Sequence, residues 1–78
     1  MKGKFKLVGL SKSKSVTCET AREDHFWPKV EMSQERFDAL WDYCKNNWSE
    51  QKYAEVEYDR LDETGEPVNS VLLGVSTL

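Results

Sequence analysis

Acidic residues are missing from the start of this sequence. Residues 1–16 contain none, against five lysines: Lys2, Lys4, Lys6, Lys12 and Lys14. All fourteen acids follow later, and the formal net charge is −3. A basic arm on an acidic body says something about partners and little about fold. Histidine occurs once, as His25, and cysteine twice, as Cys18 and Cys44. That spacing makes no CxxC pair, and one imidazole cannot complete a familiar zinc set, so no metal is expected. Two isolated cysteines read as small buried thiols that stay reduced. The four glycines are scattered, so no loop can cradle a phosphate and no cofactor is expected. No uninterrupted apolar run exceeds Val71-Leu72-Leu73, which excludes a membrane-spanning helix. Met1-Lys2-Gly3-Lys4 is basic, but no apolar segment follows it. A secretory signal is therefore not expected, and the cytoplasm is the expected compartment.

What remains is one small domain, 1–78, with three Trp, three Tyr and three Phe to build its core. Lys4 to Leu10 alternates like a strand, with Phe5 and Leu7 on one face and Lys4 and Lys6 on the other. The Ser11–Ser15 run is turn-prone, and Ser15 to Thr20 is a second strand with Val16 and Cys18 on one face. Pro28 forbids a regular helix in the following connection and biases Trp27 to extended geometry. Val30–Met32 fits a short strand. The strongest local signal is a helix from about Gln34 to about Asn46. Ser33 is its N-cap, Glu35 favours its positive end, and Met32 and Phe37 form a hydrophobic staple. Phe37, Leu40, Trp41 and Cys44 make its apolar stripe, and Asn46-Asn47, tolerant of left-handed backbone, its stop. Lys52–Asp59 alternates again, with Ala54, Val56 and Tyr58 on one side. Asp62–Gly65 is a turn, and a last strand runs from Val68 or Asn69 to Val75 with Val71, Leu73 and Val75 inward. These elements predict an α+β fold in the order ββαββ: an antiparallel sheet of four to five strands with one helix on one face.

The segment from Phe37 to Val75 resembles the end of the OB-fold domain of ATP-dependent DNA ligases. Glu55-Val56-Glu57-Tyr58 stands where that family has an E-V-x-Y strand, and Leu61-Asp62-Glu63-Thr64-Gly65 where it has an L-T-x-D-G turn. The resemblance covers roughly half the chain and implies an OB-like sheet. It does not imply ligase activity. Gln51-Lys52 replaces the family's Gly-Lys, no basic residue stands in Gly74–Leu78, and the nucleotidyltransferase lysine motif has no counterpart.

No catalytic constellation is apparent. His25 lies beside Asp24, Phe26 and Trp27, and neither cysteine has the sequence context of a nucleophile. The acidic residues of the second hairpin lack the order of a calcium loop. A non-enzymatic binding role is therefore expected, in three forms. In the first, Glu55, Glu57 and Asp59 alternate on one strand face about 6.6 Å apart. With Glu63, Glu66, Asp38 and Asp42 they would imitate a nucleic-acid backbone and dock on a basic protein of DNA metabolism. That is the style of a small phage or mobile-element inhibitor or adaptor. In the second, Lys2, Lys4, Lys6, Lys12 and Lys14 would follow a nucleic-acid backbone while Trp27 or Phe26 stacks on a base. The plainer reading of those lysines is protection of an exposed sheet edge. In the third, the chain is a homodimer anchored by aromatics such as Trp27, Trp48 or Tyr53.

Overall fold

The computed structural model describes residues 1–77. Strands β1 (Lys2–Ser11), β2 (Ser15–Glu19) and β3 (His25–Phe26) precede helix α1 (Gln34–Asn46). Strands β4 (Lys52–Glu57), β5 (Arg60–Leu61), β6 (Pro67–Val68) and β7 (Val71–Thr77) follow it. The five-stranded antiparallel sheet has the order β3-β2-β1-β4-β7, and β5 and β6 form a separate small hairpin. The predicted α+β class and helix boundaries hold.

The sheet cannot be flat. Lys29 forms a parallel bridge with Val71 on the outer edge of β7. Its N–H donates to the Ser70 carbonyl at 2.9 Å, and its own carbonyl accepts from Leu72 N at 2.8 Å. In a flat sheet that position would lie five strand spacings from β3, about 24 Å. Only Trp27 and Pro28 join Phe26 to Lys29, and the three Cα–Cα steps reach about 10 Å. The sheet therefore curls until the segment after β3 meets β7, giving a partly closed five-stranded barrel. Val30–Met32, read from sequence as a short strand, is not one. Proline at 28 and the single bridge at Lys29 are what that stretch contributes.

The interior follows from the pleat. Leu7 faces Cys18, which faces Phe26, and Ala54 and Val56 lie beside them from β4. All five are buried. Phe5 stacks edge-on against Phe26 at 5.1 Å and against Tyr58 at 5.9 Å. Gly3 makes room for this stack, since a Cβ there would stand 3.3 Å from both the Phe5 and Tyr58 rings. Helix α1 adds Phe37, which is fully buried, and Cys44. Burial raises the Cys18 thiol pKa to about 12, so it stays a neutral packing group.

Four local expectations are corrected. The lysine-bearing β1 is the central strand, paired with both β2 and β4, so its lysines protect no edge over Lys2–Lys6. Strand β4 ends at Glu57, not Asp59: Met1 and Tyr58 still exchange both backbone bonds at 2.8 Å, but the next amide, Asp59 N, leaves the sheet and donates to the Val68 carbonyl at 3.0 Å. The last strand begins at Val71, since Val68 belongs to β6 and Asn69 takes a left-handed φ of 54°. Its inward residues are Leu72 and Val75, opposite Val56 and Ala54, rather than Val71, Leu73 and Val75. A bulge at Leu73 shifts the alternation by one, and the freed Leu73 carbonyl accepts from Arg36 Nη2 at 3.1 Å.

The ends of α1 show one expectation met and one replaced. Ser33 Oγ accepts from Arg36 N at 3.2 Å, as an N-cap should. At the other end Asn47 is not left-handed (φ −122°). It stops the helix by sending both its backbone N–H and its side-chain Nδ2 to the Tyr43 carbonyl, at 3.1 and 2.9 Å.

Phe37 is the helix's anchor in the barrel. Phe37→Ala should lower unfolding free energy by about 3–5 kcal/mol. Urea denaturation followed by far-ultraviolet circular dichroism measures this, and a loss below about 1 kcal/mol would contradict its place in the core.

Candidate functional site

The two charged features expected from sequence turn out to share one surface. Alternation in β1 sends Lys2, Lys4 and Lys6 outward, away from the barrel interior. In the antiparallel register Lys2 stands opposite Glu57 and Lys4 opposite Glu55. On its other side Lys6 stands opposite Glu19. Directly opposed residues of a sheet share a face, so this is a checkerboard of opposite charges. It is neither a free acidic ladder nor a free basic stripe. The remaining two lysines are also engaged. Lys14 Nζ donates to the Met32 carbonyl at 3.2 Å, and Lys12 Nζ lies 5.4 Å from the centre of the Trp41 ring.

The proposed acidic set divides into two. Asp38 and Asp42 lie on α1 beside Lys12, at the far end of β1 from Glu57. Roughly 30 Å of strand separates those ends. By contrast Glu57, Asp59, Glu63 and Glu66 gather at the end where β3 and the β5–β6 hairpin meet. Glu57 stands opposite Val71. Asp59 Oδ2 accepts from Asn69 Nδ2 at 2.8 Å. The Glu63 carbonyl accepts from Arg22 Nη1 at 3.3 Å, which ties the hairpin to the β2–β3 turn.

Between that hairpin and the β3 segment runs a groove of about 550 Å³. Trp27, Lys29, Glu31, Glu66, Asn69 and Val71 are among the residues that line it. Trp27 is 63% exposed, and its backbone is flanked by the Phe26 pairing with Cys18 and the bridge at Lys29. Of these groove residues, sequence reasoning had singled out Trp27 and Glu66 as binding residues. Lys29, Glu31 and Asn69 carry no local signal, because barrel closure alone brings them alongside the hairpin.

The hairpin tip is rigid for a stated reason. Asp62 Oδ1 accepts from Thr64 Oγ1 at 2.7 Å and from the Thr64 and Glu66 amides at 2.9 Å each. Gly65 completes the turn at φ 87°, a left-handed value that suits glycine. The Thr64 hydroxyl foremost, then the Glu66 amide, hold the Asp62 carboxyl below its usual pKa.

His25 does not meet a thiol. It pairs with Glu19 on the outer face, its Nε2 3.5 Å from Glu19 Oε2, whereas Cys18 faces inward opposite Phe26. The pleat thus puts imidazole and thiol on opposite sides of the sheet. Among the described residues no helix is long and apolar enough to cross a membrane. A scan of protein-family models and searches of curated proteins and solved structures return no match to this chain.

Two measurements check this surface. Charge reversal by Glu55→Lys sets like charges opposite each other and should cost about 0.2–1 kcal/mol. Lys4→Glu in the same chain should restore most of it, and additive losses in a double-mutant cycle would show that the pair does not interact. For Asp62 the lowered folded pKa means its stabilisation is complete above the unfolded value, near pH 3.9. It is lost as pH falls through the lower folded value. The Thr64 and Glu66 amide resonances should therefore titrate below about pH 3.9, and Asp62→Asn should abolish that titration.

Proposed function

We propose that this protein is a non-enzymatic binding module that meets a basic protein partner through the groove end of its barrel. The observation that carries the reading is Trp27, exposed on an anchored backbone at the mouth of a groove. Glu31 and Glu66 border that groove, and Glu57, Asp59 and Glu63 stand around it. A large exposed aromatic, with Glu31 and Glu66 against Lys29 at the rim, suits an interface anchor steered by electrostatics. This narrows the expected acidic surface to one end and leaves out Asp38 and Asp42, while Glu55 remains matched to Lys4. The proposed partner class is a protein of DNA metabolism. The ligase-like hairpin of Glu55–Gly65 supports that class, and the small size suits an inhibitor or adaptor of the kind phages and mobile elements encode.

A second reading has one observation in its favour. A partly closed five-stranded barrel with an exposed aromatic just after its third strand is similar to the arrangement on which OB folds hold single strands. The matched charges on β1 weigh against it.

Crosslinking capture from host extract tests the first reading, using the wild-type protein beside Trp27→Ala and a Glu63→Lys, Glu66→Lys double variant. A salt-sensitive protein partner should be retained by wild type and weakened about thirtyfold or more by Trp27→Ala, equivalent to about 2 kcal/mol. Undiminished capture by both variants would overturn the reading. Quenching of Trp27 fluorescence by a thymidine oligonucleotide at low salt would instead favour the second.

A further inference from the structure

After β3 the chain keeps a strand's alternation although its ladder stops at Phe26. Phe26 and Pro28 are buried, and Val30 and Met32 pack against the core. His25, Trp27, Lys29 and Glu31 are all exposed. Alternate residues of an extended backbone share a face, roughly 6–7 Å apart. Pro28 biases Trp27 to that extended geometry, and Lys29 is bridged to Val71. His25 is engaged with Glu19 on the sheet face, at 3.5 Å. Trp27, Lys29 and Glu31 line one wall of the 550 Å³ groove, and Glu66 and Asn69 line the other. Along the first wall the order is aromatic, cation, anion.

These charges are not spent on each other. Among the described residues, Lys29, Glu31 and Glu66 have no oppositely charged group within 4.0 Å. The Lys29 N–H and carbonyl are both bonded to β7, so only side chains are left for a ligand to read there. Just beyond the groove, Lys2 opposes Glu57, and Arg22 reaches the Glu63 carbonyl, so the next charges outward also come in both signs. Net charge alone therefore discriminates little at this site, and the order of charges discriminates more.

We propose that this wall reads an extended segment of the partner carrying a basic, an acidic and a basic residue at alternate positions. The proposal rests on the binding reading above and names what the groove recognises. One cation stacks on the Trp27 indole, the acid stands opposite Lys29, and the second cation stands opposite Glu31 with Glu66 across the groove. The groove lining carries two carboxylates and one ammonium, and the segment carries the inverse. A wholly basic segment would set a cation against Lys29, and a wholly acidic one would face Glu31 and Glu66. Like charges directly opposed are destabilising in both cases. The pattern is the same read from either end, so it fits either chain direction. A slip of one residue turns all three side chains away from the wall.

The probe is the end-capped peptide Arg-Ser-Glu-Ser-Arg, titrated to about 5 mM into isotope-labelled protein at about 0.15 M salt. Shifts should concentrate at the Trp27 indole and the Lys29, Glu31 and Asn69 amides, and Trp27→Ala should weaken binding about threefold. Moving the acid by one residue, as Arg-Glu-Ser-Ser-Arg, keeps the composition and should also weaken binding about threefold. Lys29→Met decides the matter by sign. It should weaken Arg-Ser-Glu-Ser-Arg and tighten Arg-Ser-Gln-Ser-Arg, each about threefold. No shifts at 5 mM, equal binding of the two isomeric peptides, or tightening of both peptides by Lys29→Met would each overturn the proposal. Those failures are distinct from failure of the basic-partner reading, which falls only if capture of the partner survives Trp27→Ala and the Glu63, Glu66 reversals.

Discussion

Two residues, Trp27 and Pro28, separate Phe26 from Lys29, and they tie together the two ends of the sheet. Phe26 pairs with Cys18 on β2, while Lys29 bridges to Val71 on β7. A tether that short leaves the sheet no choice but to curl. Curling gives the domain an inside, where Leu7, Val16, Cys18, Phe26, Ala54, Val56 and Leu72 meet. In a chain of 78 residues, where surface is large relative to volume, closure lets one layer of strands enclose a core that a flat sheet would leave half exposed. Helix α1 then adds Phe37 to that core.

The same closure sorts the surface. The outer face of β1 and β4 becomes a matched lattice of lysine and glutamate, stabilising by a few tenths of a kcal/mol per pair and electrostatically quiet at long range. Unmatched features are pushed to the two ends. At one end the β5–β6 hairpin faces the segment after β3 and leaves Trp27 at the mouth of an acidic-rimmed groove. At the other, β1 outruns β4 and leaves a short uncharged edge beneath Trp48. The two exposed tryptophans thus stand at two chemically different places.

Much of the local structure was legible beforehand. The α1 limits, its Ser33 cap and its Phe37 and Cys44 face followed from helix periodicity and capping chemistry, which act within a few residues. So did the alternation of β1, β2 and β4. Errors came where a distant contact outweighed the local pattern. Leu73 reads as inward by strict alternation, but the bulge against Glu55 and Val56 moves Leu72 inward instead. Tyr58 and Asp59 continue the alternation of β4, yet the Asp59 amide turns to the Val68 carbonyl of the small hairpin and takes the chain out of the sheet.

The sequence by itself determined the helix α1, the alternation of β1, β2 and β4, and that the domain is α+β. It also determined the amounts of charge and their division between a lysine arm and an acidic body. Only the tertiary structure decided that β1 lies between β2 and β4, and therefore that Lys2 and Lys4 stand opposite Glu57 and Glu55. It alone placed Trp27, Lys29 and Asn69 around one groove, and ended the β4 pairing of β1 at Lys6. The physical reason is that side-chain alternation is a property of each strand, whereas strand order depends on long-range pairing and the closure of the barrel. Two faces read separately along the chain were one face in space.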